Sequence, residues 1–134
     1  MLGVHMGPPC GTFSRARTLA GGPRPLRSAE EPRGLSSLAG AEAELVKDTN
    51  VLTDFAFDFF AEAASSGLPV TLENPRQSLM WSWDLPAGST LAVCDFCQWG
   101  TAWRKRTGLL GSNIGLEHLQ RTCTMGAHYG CGAS

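Results

Sequence analysis

A chain of 134 residues is long enough for one hydrophobic core, so we expect a single domain over residues 1–134. The formal net charge of −1 argues against a protein that coats nucleic acid non-specifically. No run of about 18 apolar residues and no signal-peptide pattern is present, so we expect an intracellular protein, nuclear or cytoplasmic, that is neither secreted nor membrane-bound. Five cysteines, an odd number, favour reduced thiols over a disulfide framework.

The chain opens with an apolar segment, Met1–Met6, which predicts a strand that passes directly into Gly7-Pro8-Pro9-Cys10. Two prolines fix the backbone and remove two amide donors, so the strand cannot continue and Cys10 should stand on a rigid, partly exposed loop. The alternative is that Cys10 is one more half-buried cysteine. Residues 14–40, rich in Pro, Gly and Arg, predict a flexible loop whose arginines either meet phosphates or lie in solvent.

A helix is predicted from Ala41 to Ser65, because apolar residues recur there at steps of three and four. The face expected to pack on a sheet contains Leu45, Leu52, Phe55, Phe59 and Ala63. Acidic residues occupy another face: Asp54, Asp58 and Glu62. Gly67 and Pro69 should end the helix.

The next predicted strand, Leu68–Pro75, ends on the polar residues Glu73 and Asn74. Pro75 keeps Asn74 extended, so the strand should present Glu73 at its tip. Strand, loop, helix and strand in this order predict a right-handed βαβ crossover, which would bring Cys10 and Glu73 to one carboxyl edge of a parallel sheet. The alternative for Glu73 is a capping carboxylate.

The last third, residues 90–134, predicts short strands followed by a small irregular C-terminal region. We expect strands near Thr90–Cys94 and Thr107–Gly111 and a short helix near Gly115–Gln120. Cys94 and Cys97 form a Cys-x-x-Cys pair that could begin a tetrahedral zinc site. The candidate ligands are Cys94, Cys97, Cys123 and His128, with His118 or Cys131 as substitutes. The alternative is that Cys94 points into the core.

Three short motifs together resemble the cytosine-5 DNA methyltransferase family. They are Pro9-Cys10, Glu73-Asn74 and, more loosely, the stretch from Gln98 to Arg106. The chain is similar to divergent methyltransferase-like sequences that carry a Gly-Pro-Pro-Cys-x-Thr-Phe-Ser loop, a Glu-Asn-Pro segment and an Arg-Lys-x-Thr turn. The resemblance covers about half of the chain.

This resemblance implies a partial Rossmann-like methyltransferase sheet and the transfer of methyl from S-adenosylmethionine to cytosine in DNA. In the family, a cysteine thiolate adds to ring position 6 of a flipped cytosine, and a glutamic acid hydrogen-bonds or protonates ring nitrogen 3. These catalytic roles fall to Cys10 and Glu73. The implied substrate contacts are Pro9, Ser14, Asn74, Arg104 and Arg106.

The cofactor pocket of the family begins with a Phe-x-Gly-x-Gly strand and loop before the Pro-Cys loop, whereas only nine residues precede Cys10 here. We therefore expect a catalytic-half fragment whose S-adenosylmethionine pocket, and so whose activity, depends on a partner chain or an N-terminal segment. The alternative function is a non-catalytic nucleic-acid-binding or zinc-stabilised module derived from such an enzyme.

Overall fold

One long helix and four strands form the computed structural model of the chain, which describes residues 2–124. The elements are β1 (Val4–Met6), α1 (Gly40–Ser65), β2 (Val70–Pro75), β3 (Thr90–Asp95) and β4 (Arg106–Ser112). Each predicted strand is present, and α1 begins one residue before its predicted start. The short helix predicted near Gly115–Gln120 is a single 3-10 turn, Glu117–Leu119.

The sheet is mixed and has the strand order β1-β2-β4-β3. β1 and β2 are parallel, with Val4 opposite Val70 and Met6 opposite Leu72, and α1 lies between them in the chain. This arrangement confirms the α/β class and the parallel pairing of β1 and β2 around one helix; the right hand of the crossover stays a prediction. β4 is antiparallel to both of its neighbours, β2 and β3, so the prediction of a parallel sheet holds for β1 and β2 only. Within residues 2–124, β1 pairs on one side only.

The face of α1 that packs on the sheet differs from the predicted one. Four of the five predicted residues are exposed: Leu45 by 48%, Leu52 by 51%, Phe55 by 64% and Phe59 by 43%. Only Ala63 of that set is buried. The residues of α1 that are buried are Val46, Thr49, Thr53, Ala56, Phe57, Phe60 and Ala63.

Two buried threonines explain this error. The hydroxyls of Thr49 and Thr53 each donate to the backbone carbonyl four residues earlier, at 2.8 Å. Because both hydroxyls are satisfied within the helix, these residues can face the core, where Phe60 packs with Val70 and Leu72 of β2. A pattern that treats threonine as polar therefore rotates the predicted face away from the observed one.

The C-terminus of α1 lies where glycine predicts it. Gly67 has a φ of 76°, which glycine adopts without strain, and the Leu68 N–H donates to the Ala63 carbonyl at 3.0 Å. These two features close the helix end. No helix in residues 2–124 is both long and apolar enough to cross a membrane.

Residues 14–40, predicted as a flexible loop, have a largely irregular backbone with one 3-10 turn, Arg15–Thr18. Several side chains tie this segment to α1, and the buried charged one among them is Arg27. Its guanidinium lies 3.8 Å from the centroid of the Phe13 ring. Its acceptors are all uncharged: Thr12 Oγ1 at 2.9 Å, Asn50 Oδ1 at 2.7 Å, and the carbonyls of Pro32 at 2.9 Å and Val46 at 3.4 Å. Burial, together with nearby Arg33, lowers the pKa of Arg27 to about 10.

Candidate functional site

The loop after β1 is held by hydrogen bonds to three of its carbonyls, while its thiol is exposed. The carbonyls of Pro8, Cys10 and Gly11 accept from Asn74 Nδ2 at 2.9 Å, Phe13 N at 3.0 Å and Arg17 Nε at 2.8 Å. Phe13 then enters the core and makes a T-shaped contact with the Trp83 ring, with centroids 5.4 Å apart. The structure thus places Cys10 on an exposed turn directly after β1.

Asn74 joins this loop to the end of β2. Its hydrogen bond to the Pro8 carbonyl spans 66 positions of the sequence, and the residue is only 1% exposed. The parallel register explains the contact: because Met6 lies opposite Leu72, the chain two residues further on reaches Pro8 and Asn74 at the same level. The Asn74 Oδ1 atom has no hydrogen-bond partner within residues 2–124, which leaves a buried acceptor beside the Pro-Cys loop.

Glu73 lies on the opposite face of β2 from Asn74, because successive residues of a strand alternate. Its Oε1 atom accepts a hydrogen bond from Lys105 Nζ at 2.9 Å. Its Oε2 atom lies 3.5 Å from the position that a Cβ would occupy at Gly7. The carboxylate therefore stands beside the first residue of the loop that carries Cys10, at the shared carboxyl edge of β1 and β2.

Arg104 and Arg106 both contact one buried carboxylate, Asp95. Arg106 binds it with two hydrogen bonds, Nε to Oδ1 at 3.0 Å and Nη2 to Oδ2 at 2.7 Å. Arg104 Nε lies 3.4 Å from Oδ2, which also accepts from the Cys123 amide at 2.6 Å. The Arg106 hydrogen bonds, helped by the Cys123 amide and by Arg104, outweigh burial and lower the pKa of Asp95 to about 2.

A cleft of about 580 Å³ lies beside this cluster, and Ser14, Arg15, Arg104 and Arg106 are among its lining residues. A second depression of about 550 Å³ shares Arg15 and Arg106 with it and adds Arg76. Cys10 and Glu73 do not line either depression. The predicted site residues therefore form two groups, one at the carboxyl edge with Pro9 and Asn74, the other in this arginine-lined cleft.

The arginines of residues 14–40 differ in how far they remain available to a ligand. Arg15 and, further along the chain, Arg76 have no ion-pair partner in the part of the chain that the structure describes. The others are engaged: Arg17 with the Gly11 carbonyl, Arg24 with Glu42, Arg27 with the core and Arg33 with Asp54.

The predicted zinc site falls only partly within the described residues, since Cys94, Cys97 and Cys123 lie inside the range 2–124 and His128 lies outside it. No group of three or more His, Cys, Asp or Glu residues in the range 2–124 is placed to hold a metal ion. Cys97 and Cys123 pack together in a small buried cluster. Burial raises the pKa of the Cys94 thiol in β3, helped by Asp95. His128 and Cys131 lie outside the described residues, so the zinc hypothesis stays a prediction.

Sequence reasoning missed two charged residues of this region, Asp95 and Lys105. The available signal is the triplet Arg104-Lys105-Arg106, because an extended chain directs its first and third side chains to one side and its second to the other. That alternation sends the two arginines to Asp95 and Lys105 to Glu73.

Comparison of the chain with protein-family models, with curated proteins and with solved structures finds no match. The resemblance to cytosine-5 methyltransferases therefore rests on its short motifs.

Proposed function

We propose that this chain is the cytosine-binding half of a DNA cytosine-5 methyltransferase-like protein with a Rossmann-like sheet. The observation that carries the proposal is the hydrogen bond from Asn74 Nδ2 to the Pro8 carbonyl. It ties the Pro-Cys loop to the Glu-Asn strand end, two motifs that are far apart in sequence. An exposed thiol and a carboxylate thus stand at neighbouring strand ends, the edge where open α/β sheets bind ligands.

A cytosine flipped into this edge would meet Cys10 and Glu73. After the thiol loses its proton to solvent, the thiolate adds to ring position 6 and forms an S–C6 bond. The π pair of the 5,6 double bond moves to the 4,5 bond and the π pair of the 3,4 bond moves to nitrogen 3. Glu73, which has first taken up a proton from solvent, gives that proton to nitrogen 3. Because Lys105 forms an ion pair with the Glu73 carboxylate, the cytosine would displace the Lys105 ammonium group from Glu73 as it enters the site.

Methyl transfer needs S-adenosylmethionine, and the residues that the structure describes do not fit its pocket. No strand, glycine-rich loop and helix follow one another in residues 2–124 in the order that the family requires. We assign only the addition step to this chain. Binding of the cofactor would fall to a partner chain or to an N-terminal segment. The side of β1 that is unpaired within residues 2–124 leaves room for a further strand there.

A non-catalytic nucleic-acid-binding module is the second candidate, and the arginine-lined cleft favours it. Arg15, Arg76, Arg104 and Arg106 line the two adjoining depressions, and the carboxylate that neutralises two of them, Asp95, is buried. Such a surface suits the phosphates of a nucleic acid and would bind them without any covalent step. A zinc-stabilised C-terminal region belongs to this same candidate.

Covalent trapping separates the two candidates. An oligonucleotide with 5-azacytosine is chosen because its ring position 6 is electrophilic enough to accept a thiolate without methyl transfer. We expect the full chain to form an adduct that survives a denaturing gel, and Cys10→Ser to form none. A parallel incubation with 5-fluorocytosine and S-adenosylmethionine tests whether the chain alone can also complete methyl transfer.

The matched control is a double variant, Cys10→Ser with Ser36→Cys, which moves an exposed thiol to a loop position outside the site. An adduct in this control would show that any exposed thiol reacts, and would sink the catalytic proposal. Salt-sensitive binding of the oligonucleotide without an adduct in any variant would establish the binding module instead. A zinc assay on the same sample tests its zinc-stabilised form.

A further inference from the structure

Helix α1 leaves a row of large apolar side chains on its exposed surface, here called the apolar stripe: Leu45, Leu52, Phe55 and Phe59. They are spaced by seven, three and four residues and so share one side of the helix. The rings of Phe55 and Phe59 contact each other with centroids 6.0 Å apart. A contiguous exposed row of this kind is typical of an interaction site, unlike apolar residues scattered singly over a surface.

Acidic side chains border the apolar stripe. Asp48, Asp58 and Glu62 each lie three or four residues from a member of the stripe, so they occupy adjacent positions on the helix surface. All three are exposed, and none has an ion-pair partner among the residues that the structure describes. The one lysine of α1, Lys47, lies 4.0 Å from Glu44. The stripe therefore has negative charge beside it, here called the acidic border.

A second copy of this chain fits the apolar stripe poorly. Each large apolar side chain has roughly 200 Å² of surface, and about half of it is exposed here, so the stripe presents about 400 Å². Stable protein–protein association buries about 800 Å² on each partner. A larger contact between two copies would include the acidic border on both sides and oppose like charges, which disfavours association.

We propose that the apolar stripe docks an amphipathic helix of another polypeptide whose flanks carry lysine or arginine. Its apolar residues, at steps of three and four, would pack between Leu52, Phe55 and Phe59 in the manner of a helix in a groove. Its basic flanks would pair with the acidic border, which no described cation of this chain does. The proposal stands apart from the chemistry at Cys10 and goes beyond it.

Two synthetic helical peptides with the same leucine and phenylalanine positions test this, one flanked by lysine and one by glutamate. Fluorescence anisotropy with the full chain should show the lysine-flanked peptide binding about tenfold or more tightly, with a preference that shrinks as salt is raised. Phe55→Ser should weaken this binding about tenfold. The matched control Trp103→Ser, which removes an exposed apolar side chain from the turn between β3 and β4, should leave it unchanged.

Reversing the border tests the electrostatic part directly. In a double variant, Asp48→Lys with Glu62→Lys, both substitutions lie at exposed positions, and the preference should switch to the glutamate-flanked peptide. Equal affinity of the native chain for the two peptides would overturn the proposal, as would an unchanged preference in the reversed variant. Self-association of the native chain in sedimentation velocity, abolished by Phe55→Ser, would overturn it in favour of a second copy.

Discussion

Two buried charged side chains, Arg27 and Asp95, hold the irregular regions of this protein in opposite ways. Arg27 holds the loop after β1 and has uncharged acceptors only. Asp95 holds the turn before β4 and is paired with Arg104 and Arg106. The pKa of each is lowered, to about 10 for Arg27 and about 2 for Asp95. For the arginine, burial disfavours the charge; for the aspartate, its partners favour it.

A buried charged side chain can therefore stabilise a fold through the geometry of its hydrogen bonds or through its electrostatic interactions. The Arg27 guanidinium donates hydrogen bonds to four acceptors in the loop and in α1, which no neutral side chain can do. Arg27 therefore stabilises the loop through its several donors, while burial of its charge is unfavourable. Asp95 instead gathers two cations and thereby sets one wall of the cleft. The two sites should respond differently to mutation and to pH.

Removal of Arg27 should have the largest effect. Arg27→Met leaves Thr12, Asn50 and two carbonyls without their donor in a buried place, and we expect a loss of about 4 kcal/mol in the free energy of unfolding. Urea unfolding measures it. The control Arg24→Met removes an exposed guanidinium that pairs with Glu42 and should cost below about 0.5 kcal/mol. Similar losses in both variants would contradict the assigned role.

Replacing Asp95 by a neutral residue should lower the free energy of unfolding by less than Arg27→Met does, although Asp95 has the stronger ion pairs. Arg104 and Arg106 have side chains that are 28% and 38% exposed, so water can solvate them once Asp95→Asn removes their partner. We expect a loss of about 2 kcal/mol, below the usual cost of breaking a fully buried pair. Asp58→Asn, an exposed carboxylate of α1, is the control and should change nothing. If Asp95→Asn lowered the free energy of unfolding by more than Arg27→Met, Asp95 and not Arg27 would be the more important of the two for stability.

The pH dependence sharpens the contrast. The folded-state pKa of Asp95 is depressed from 3.8 to about 2, so its contribution is present above about pH 4 and is lost as pH falls towards 2, up to about 2 kcal/mol. The Asp95→Asn variant should not show this loss of stability at low pH. The Arg27→Met variant should still show it, because Arg27 is charged in both the folded and the unfolded state between about pH 2 and pH 4. Urea unfolding at several pH values measures this effect. If the free energy of unfolding depends on pH in the same way for the native chain and for Asp95→Asn, the prediction is wrong.

The smallest expected effect concerns the unequal shares of the two arginines. Arg104 makes one contact of 3.4 Å with Asp95, whereas Arg106 makes two shorter hydrogen bonds. We expect Arg104→Gln to cost about 0.5 kcal/mol and Arg106→Gln about 1.5 kcal/mol. Thermal unfolding of the two variants side by side decides it. Equal shifts would mean that Asp95 does not distinguish its two partners.

The sequence predicted those parts of the fold that follow from local rules. Apolar runs and proline predicted the strands, and three- and four-residue steps predicted α1. The predicted packing face of α1 was wrong because the hydroxyls of Thr49 and Thr53 form their hydrogen bonds within the helix, so that these two residues can be buried. The position of β4 between β2 and β3 could not be predicted, since it depends on pairing between distant segments that no local pattern specifies.

The candidate site divides in the same way. Proline before Cys10 and proline after Asn74 act on their own neighbours, so an exposed loop and an extended strand tip could be predicted. The partners of Asp95, Lys105 and Arg27 could not, because a charge in a sequence has many possible counter-ions and acceptors, and packing selects among them. A polar, proline-rich loop also gave no reason to expect a buried arginine.

The hydrogen bond between Asn74 and Pro8 has a consequence for how the molecule folds. It can form only after the chain has closed a loop of more than sixty residues, which carries an entropic penalty and slows assembly. Helix α1 and the β3–β4 hairpin involve shorter separations and can form earlier. The strand ends that carry Cys10 and Glu73 therefore come together late, and any local opening that releases the three-residue β1 would separate them while most of the sheet survives.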